Sequence, residues 1–308
     1  MPESHIPAEP VGPPDVRRVL VIGASGQLGR ELARTLQAWP EPIQVLTASR
    51  SEPDADRRVA LEHPETLERV IAAVRPAHVI LAAAATNVTW CEEHPTGSHI
   101  INVVGTAAAA RAANRIGANL AFLSTDYVFD GSTGPYPESA ATRPINIYGA
   151  HKLAAEEAVL AENPGNLVVR TCQVFGDDPR RTNFVMRVID SLRRGETVEA
   201  AGDLYGTPTY APDLALVLAN LVLAAASGVW HVAGPTFLSR YELAHMAAAA
   251  FGCDRESIVE VTADQMNDPV DRPRRAGLLG VRLEAAGSGR MTPLADALQA
   301  LATGDARA

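Results

Sequence analysis

Tyr148 and Lys152 stand four residues apart in RPINIYGAHKLAAEEA, residues 143–158, at the start of a helix-like run. That spacing puts a phenol and an ammonium on one helical face. A phenol beside a positive charge loses its proton more easily, so the pair reads as an acid–base couple for use near neutral pH. Taken alone, the spacing equally fits a surface tyrosine packed over a lysine stem. The elements that must hold the pair decide between the two.

Those elements begin with an apolar segment, Val19 to Ile22, that runs through GASGQLG into a helical pattern. Gly23 and Gly26 permit a tight turn and a close backbone approach to a pyrophosphate, and Gly29 lets helix and sheet pack closely. Ser25, Gln27 and Leu28 complete the turn and open the helix, whose free N–H groups favour an anion. The context is that of a dinucleotide site, the alternative being a plain tight turn. At the tip of the second strand, LTASRSEP offers Ser49 and Arg50 instead of an acidic residue. A hydroxyl and a guanidinium suit a 2′-phosphate, which favours NADPH over NADH, although an exposed arginine is also ordinary surface. Ala82, Ala83 and Ala84 end the third strand and let a flat cofactor lie against it, or simply allow tight helix–sheet packing.

Short apolar strands (IQVLTASR, AHVILAAAA, NLAFLST, NLVVRTCQVFG) alternate with helical segments, including one long helix over HIINVVGTAAAARAANRIG. The pattern predicts an α/β fold, a Rossmann-type doubly wound parallel sheet over residues 17–176. After Gly176 the rhythm changes, which predicts a smaller mixed C-terminal substrate lobe over 177–308 with elements returning to the first domain. The formal net charge is −9 and no dense Lys/Arg run occurs, which argues against nucleic acid or an anionic membrane as partner. Cys91, Cys172 and Cys253 lie far apart without histidines at ligand spacing, so they read as reduced, buried thiols of a cytoplasmic protein with no metal site. His63, His94 and His99 read as surface or capping residues. Residues 1–16 read as a disordered, proline-rich tail, and no stretch has the length of a membrane span.

GASGQLGRELA, STDYVFDG, PINIYGAHKLAAEEA, NFV and YGTPTYAPDLA occur in that order. With them the chain resembles an extended short-chain dehydrogenase/reductase, specifically the dTDP-4-dehydrorhamnose reductase family, which also contains the methionine adenosyltransferase beta subunit. The resemblance implies that Thr125, Tyr148 and Lys152 perform the chemistry. Tyr148 would protonate a carbonyl oxygen, and Lys152 would lower the phenol's pKa and hold the nicotinamide ribose. It also places Thr86 and Val88 near cofactor and sugar, Asp126 and Tyr127 near the sugar, Asn183 near the nucleotide, Thr209 as a weaker candidate and Arg272 at a diphosphate. The sequence departs from the family pattern at Gln173, where an indole is common, at Thr89 and Trp90, and in VALEHP, which lacks an aspartate. The expected activity is NADPH-dependent reduction of the 4-keto group of a nucleotide-linked deoxysugar, dTDP being the nucleotide implied, in a possible homodimer. A non-catalytic nucleotide-binding regulatory subunit and a nucleotide-sugar epimerase or dehydratase remain as alternatives.

Overall fold

Residues 16–54 and 57–304 are described by the computed structural model; of the expected N-terminal tail, residues 1–15 lie outside them. The first half runs β1 (Arg17–Ile22), α1 (Gln27–Gln37), β2 (Ile43–Ala48), α2 (Pro64–Val74), β3 (His78–Leu81), α3 (Val88–Glu93), α4 (Pro95–His99), α5 (Thr106–Arg115), β4 (Asn119–Thr125) and α6 (Ile147–Glu162). It continues with β5 (Leu167–Thr171), β6 (Val174–Phe175), α7 (Phe184–Arg193), β7 (Val198–Ala201), β8 (Tyr205–Gly206), β9 (Thr209–Tyr210), α8 (Ala211–Leu223) and β10 (Gly228–His231). The last elements are β11 (Leu238–Ser239), α9 (Arg240–Ala250), β12 (Ile258–Val261), α10 (Val281–Ala286) and α11 (Leu294–Thr303).

Alternation along β1 builds the core on both sides of a sheet. Leu20 and Ile22 face Leu67, Ile71, Ala109 and Val159, from α2, α5 and α6. Val19 and Val21 face Leu32, Leu36, Leu214 and Leu218, from α1 and α8. Successive strand side chains point to opposite faces, so a strand buried on both must be apolar throughout. The sheet is parallel with order β2-β1-β3-β4-β5-β10. The chain leaves β1 towards β2 and returns on the other side to β3. The crevice between the carboxyl ends of β1 and β3 is therefore a topological switch point, where ligands of such sheets bind.

The elements after Phe175 do not stay apart from this sheet, since α8 covers it and β10 extends it. A second apolar core joins α7, α9 and α11 through Val185, Ile189, Leu243 and Leu298. Two expected elements differ. The long helix contains a π segment, Ile100–Gly105, between α4 and α5. NLVVRTCQVFG is two strands, because Gln173 adopts a left-handed φ of 42° and turns β6 away to pair with β9. Among the described residues, no helix is long and apolar enough to cross a membrane.

Candidate active site

Thr125 ends β4, and Tyr148 lies in the first turn of α6. Asn146 caps that helix by accepting from the Gly149 N–H at 2.9 Å, and Glu92 accepts from Ile147 N–H at 3.0 Å. A Cβ at Gly149 would lie 2.1 Å from the Tyr127 carbonyl oxygen, so only glycine lets α6 press this closely against the turn after Thr125. Both Thr125 and Tyr148 are buried. Burial pushes the phenol's pKa up, and the neighbouring Thr125 hydroxyl offsets this only in part.

Lys152 is one turn further along α6 and is also buried. Its Nζ donates to the Leu123 carbonyl oxygen at 2.6 Å and sits 3.9 Å from the centroid of the Phe122 ring. Burial lowers its pKa to about 7, with the Glu156 carboxylate opposing the drop. Lys152 is not among the groups that shift the phenol in this structure. The ammonium is drawn to a strand carbonyl, while Asp126, Tyr127 and Cys91 act on the phenol and raise it further. Tyr148 keeps its proton at neutral pH and is arranged as a donor.

Behind Lys152 lies a buried ionic chain. Glu156 accepts from Arg170 Nε at 2.9 Å and Nη2 at 2.6 Å, and Arg170 Nη1 lies 3.4 Å from His231 Nε2. His231 Nδ1 is 3.0 Å from the Tyr136 carbonyl oxygen, which makes Nδ1 the donor and Nε2 the acceptor. Burial, then the Arg170 guanidinium, lowers the His231 pKa to about 4 and keeps the ring neutral.

At the switch point the glycine turn is tightly specified. Gly23 has φ of 95°, and a Cβ there would lie 2.7 Å from the Ala83 nitrogen; at Gly29 a Cβ would lie 2.2 Å from the Gly23 oxygen. Gly26 precedes α1 without any side-chain cap, leaving first-turn N–H groups free beside exposed Ser25. Gln27 Nε2 is buried with no hydrogen-bond partner, and Leu28 packs into the core below. A cradle closed to Cβ atoms, with unpaired donors at its rim, fits a dinucleotide diphosphate. Ala82 to Ala84, half-buried, form the opposite wall. Asn102, in the π segment, fixes the next residue by accepting from Ala85 N–H at 2.9 Å and donating to its carbonyl at 3.0 Å. No spacing or motif marks Asn102, whose role depends on a break in the helix. Further out, Ser49 is buried, while the Arg50 guanidinium is exposed and paired with Glu62 Oε1 at 2.6 Å.

Tyr127 meets Tyr148 edge-on with ring centroids 5.7 Å apart, and its hydroxyl accepts from Arg272 Nη1 at 3.2 Å. Arg272 borders a cleft of about 550 Å³ that Arg187, Arg240 and Arg274 also line. Arg274 is paired with Asp203 and Asp264. Arg187 has no carboxylate partner among the described residues, and its pKa is lowered by burial and then by Arg240 and Arg272. Asp264, Asp268 and Asp271 share the lining and Asp268 holds Arg272, so Arg187 and Arg240 are the guanidiniums placed to meet an anion. Arg187 and Arg240 escaped the sequence reading because they stand on different helices, 53 positions apart, and only the fold joins them.

Other candidates take different positions. Asp126 points inward, accepting from Cys172 Sγ at 2.9 Å, Gly277 N–H at 3.3 Å and Thr125 Oγ1 at 3.2 Å, and burial raises its pKa. Its carboxylate is taken up by these internal donors, where a sugar contact was expected. Thr209 is fully buried, donating to the Thr207 carbonyl at 3.1 Å and accepting from Gly234 N–H at 3.3 Å, so its hydroxyl is structural and not a sugar ligand. Asn183 caps α7 through Met186 N–H at 3.0 Å, donates to the Gly176 carbonyl at 3.1 Å and lies 3.5 Å from Gln27 Oε1, which sets it beside the glycine turn. Val88 packs against Tyr148, Cys91 and Val270, while Thr86 is exposed. Gln173 rests over Gly206, where a Cβ would lie 2.7 Å from its Nε2. The three cysteines are free, Cys253 only half-buried. Among the described residues no cluster is arranged to hold a metal ion.

A buried Tyr–Lys pair beside such a turn, on a sheet of this order, is the arrangement of the short-chain dehydrogenase/reductase class. The chain belongs to the RmlD substrate binding domain family, whose model matches residues 17–305. It is 35% identical over 259 residues to a dTDP-4-keto-6-deoxy-D-glucose reductase of Streptomyces niveus, covering 83% of this chain and 86% of the relative. It is also 31% identical over 284 residues to methionine adenosyltransferase 2 subunit beta of Bos taurus, covering 90% and 84% respectively. A solved dTDP-4-dehydrorhamnose reductase from Bacillus anthracis, in complex with NADP, superposes with a TM-score of 0.86 at 27% identity, covering 94% of this chain and 99% of that one.

Proposed function

We propose that the chain is an NADPH-dependent reductase of the 4-keto group of a dTDP-linked deoxysugar. The observation that carries this reading is the buried Tyr148 beside Thr125, with Lys152 one turn away on α6, next to the glycine turn at the switch point. When bound, the reduced nicotinamide supplies a hydride to the carbonyl carbon. Tyr148, held protonated by burial, donates to the carbonyl oxygen, so negative charge does not accumulate there. Thr125 stands beside that phenol, and its hydroxyl, which donates to Asp126 Oδ1, would turn to the same oxygen. Lys152, released from the Leu123 carbonyl, is long enough to reach the nicotinamide ribose. Residues 17–176 hold the dinucleotide in this reading and the later elements mainly the sugar nucleotide, whose diphosphate meets Arg187, Arg240 and Arg272. Tyr127 and Gln173 lie towards the sugar.

The names of the S. niveus and B. anthracis proteins support the reaction and the cofactor, and the S. niveus relative leaves the choice of sugar open. The test is purified protein with NADPH or NADH and a panel of nucleotide-linked 4-keto sugars, followed by product stereochemistry. NADPH oxidation stoichiometric with alcohol formation is expected. The likeness to the bovine beta subunit favours a second reading, a nucleotide-binding regulatory subunit. Tight NADPH binding with no turnover on any member of the panel would select it.

A further inference from the structure

The turn between β6 and α7 brings a second guanidinium to the glycine loop. Asp178 organises that turn: its buried carboxylate accepts from Arg180 N–H at 3.1 Å, Thr182 N–H at 3.0 Å and Thr182 Oγ1 at 2.7 Å. Arg30 Nη2, on the first turns of α1, lies 3.8 Å from the same carboxylate, which ties the turn to the helix that follows Gly26. Arg181 is committed elsewhere, forked onto Asp190. Arg180 is left with its side chain 61% exposed and only a loose 3.7 Å approach to Asp178. Its Nη2 lies 3.9 Å from where a Cβ on Gly26 would stand, so the guanidinium hangs over the free N–H groups that open α1. A second observation lies at the root of the same turn. A Cβ on Gly176 would fall 3.2 Å from Gln27 Nε2, the buried donor without a partner. A guanidinium held only by a 3.7 Å ion pair to Asp178 and an amide donor without a partner thus flank the glycine loop from two sides.

We propose that Arg180 is a cofactor-binding residue that clamps the diphosphate of the dinucleotide against the N-terminus of α1. This rests on the dinucleotide reading of the glycine loop. An anion there meets free N–H groups and the positive end of the helix from below and a guanidinium from above. The long side chain needs a rotamer change to admit a phosphate oxygen, and no carboxylate competes with it closely. In Arg50 the reverse holds, since Glu62 already occupies the guanidinium. Because NADPH and NADH share the diphosphate, Arg180 serves both equally.

Binding titrations of the full chain with NADPH and NADH, read by quenching of intrinsic fluorescence or by calorimetry, test the assignment without any turnover. Arg180→Ala is expected to weaken both dinucleotides about 10- to 100-fold, the loss of one charge-assisted contact, and to flatten the salt dependence of binding. Arg180→Lys should recover part of the loss, since it keeps the charge without the fork. The side chain is exposed, so thermal unfolding of both variants should match the parent and separate binding from folding. Unchanged affinity in Arg180→Ala overturns the proposal, and so does a loss confined to NADPH, which would move Arg180 to the 2′-phosphate. A parent protein that binds neither dinucleotide overturns the dinucleotide reading with it. One that binds both but reduces no sugar overturns the reductase reading alone.

Discussion

The two ends of the dinucleotide crevice are built on opposite terms. At the reacting end Thr125, Tyr148 and Lys152 are all buried, and each polar atom's neighbours are fixed by the packing of α6 on β4. At the adenosine end the Arg50 side chain is 71% exposed and shares its charge with Glu62. Low local dielectric magnifies every interaction at the first end, whereas water and salt screen those at the second. In the proposed reading, protonation is therefore set by structure at the reacting end, and cofactor preference rests on a weak, contestable ion pair. Changes at the buried end should be large and hard to rescue; changes at the exposed end should be small and sensitive to ionic strength.

The strongest way to break this contrast is Tyr148→Phe. The ring stays and only the proton donor goes, so turnover should fall about 10²–10⁴-fold while NADPH affinity stays near that of the parent. Near-parental turnover by a folded Tyr148→Phe protein would remove Tyr148 from the chemistry. Glu156→Gln probes the ionic chain behind Lys152. It leaves Arg170 as an uncompensated buried charge, and chemical denaturation should show a loss of about 3–5 kcal/mol. A loss below about 1 kcal/mol would mean that the Glu156–Arg170 pair behaves like an exposed one.

The pH dependence sharpens the same end. Burial holds Lys152 down to about 7 and holds Tyr148 up, so across pH 6–9 the phenol stays protonated while the ammonium is lost as pH rises. Values of kcat/KM for NADPH report groups of the free protein and should fall about tenfold per pH unit above 7. A flat profile to pH 9 would show that the ammonium plays no part in engaging the cofactor.

How much of this was legible in the sequence depends on how local the constraint is. The strand, glycine turn and helix at 19–29 were readable because a Cβ at Gly29 or Gly23 would fall 2.2 or 2.7 Å from a backbone atom, and only glycine answers that. The Tyr148–Lys152 spacing was readable because a helix imposes it. The direction of Lys152 was not, since a carbonyl on β4 competes for its charge, and pattern alone cannot weigh that competition. The π segment escaped because the apolar pattern runs on through Asn102 without interruption. Thr209 was misread because a threonine near a proline looks the same whether its hydroxyl faces a ligand or a buried Gly234 N–H. The arginine cleft and the Glu156–Arg170–His231 chain join residues from separate elements, and no spacing rule reaches across them.

At the exposed end, Arg50→Ala should weaken NADPH about tenfold, near the lower bound for a charge-assisted contact because of solvent exposure, and leave NADH almost unchanged. Equal losses for both would assign Arg50 to the fold or to the shared ribose. The smallest effect, and the most specific to the contrast, is expected of Glu62→Gln. One Glu62 oxygen accepts from Arg50 at 2.6 Å and the other is buried without a partner, so the carboxylate holds the guanidinium at some cost to itself. A 2′-phosphate must displace that carboxylate before it gains Arg50, and an exposed ion pair of this kind is worth only about 0.2–1 kcal/mol. Removing the charge while keeping the shape should therefore tighten NADPH by roughly 1.5- to 5-fold and leave NADH unaffected. The gain should shrink at high salt, where the pair is screened already. Weaker NADPH binding in Glu62→Gln would show instead that Glu62 positions Arg50 for the phosphate, and the exposed end would then be preorganised like the buried one.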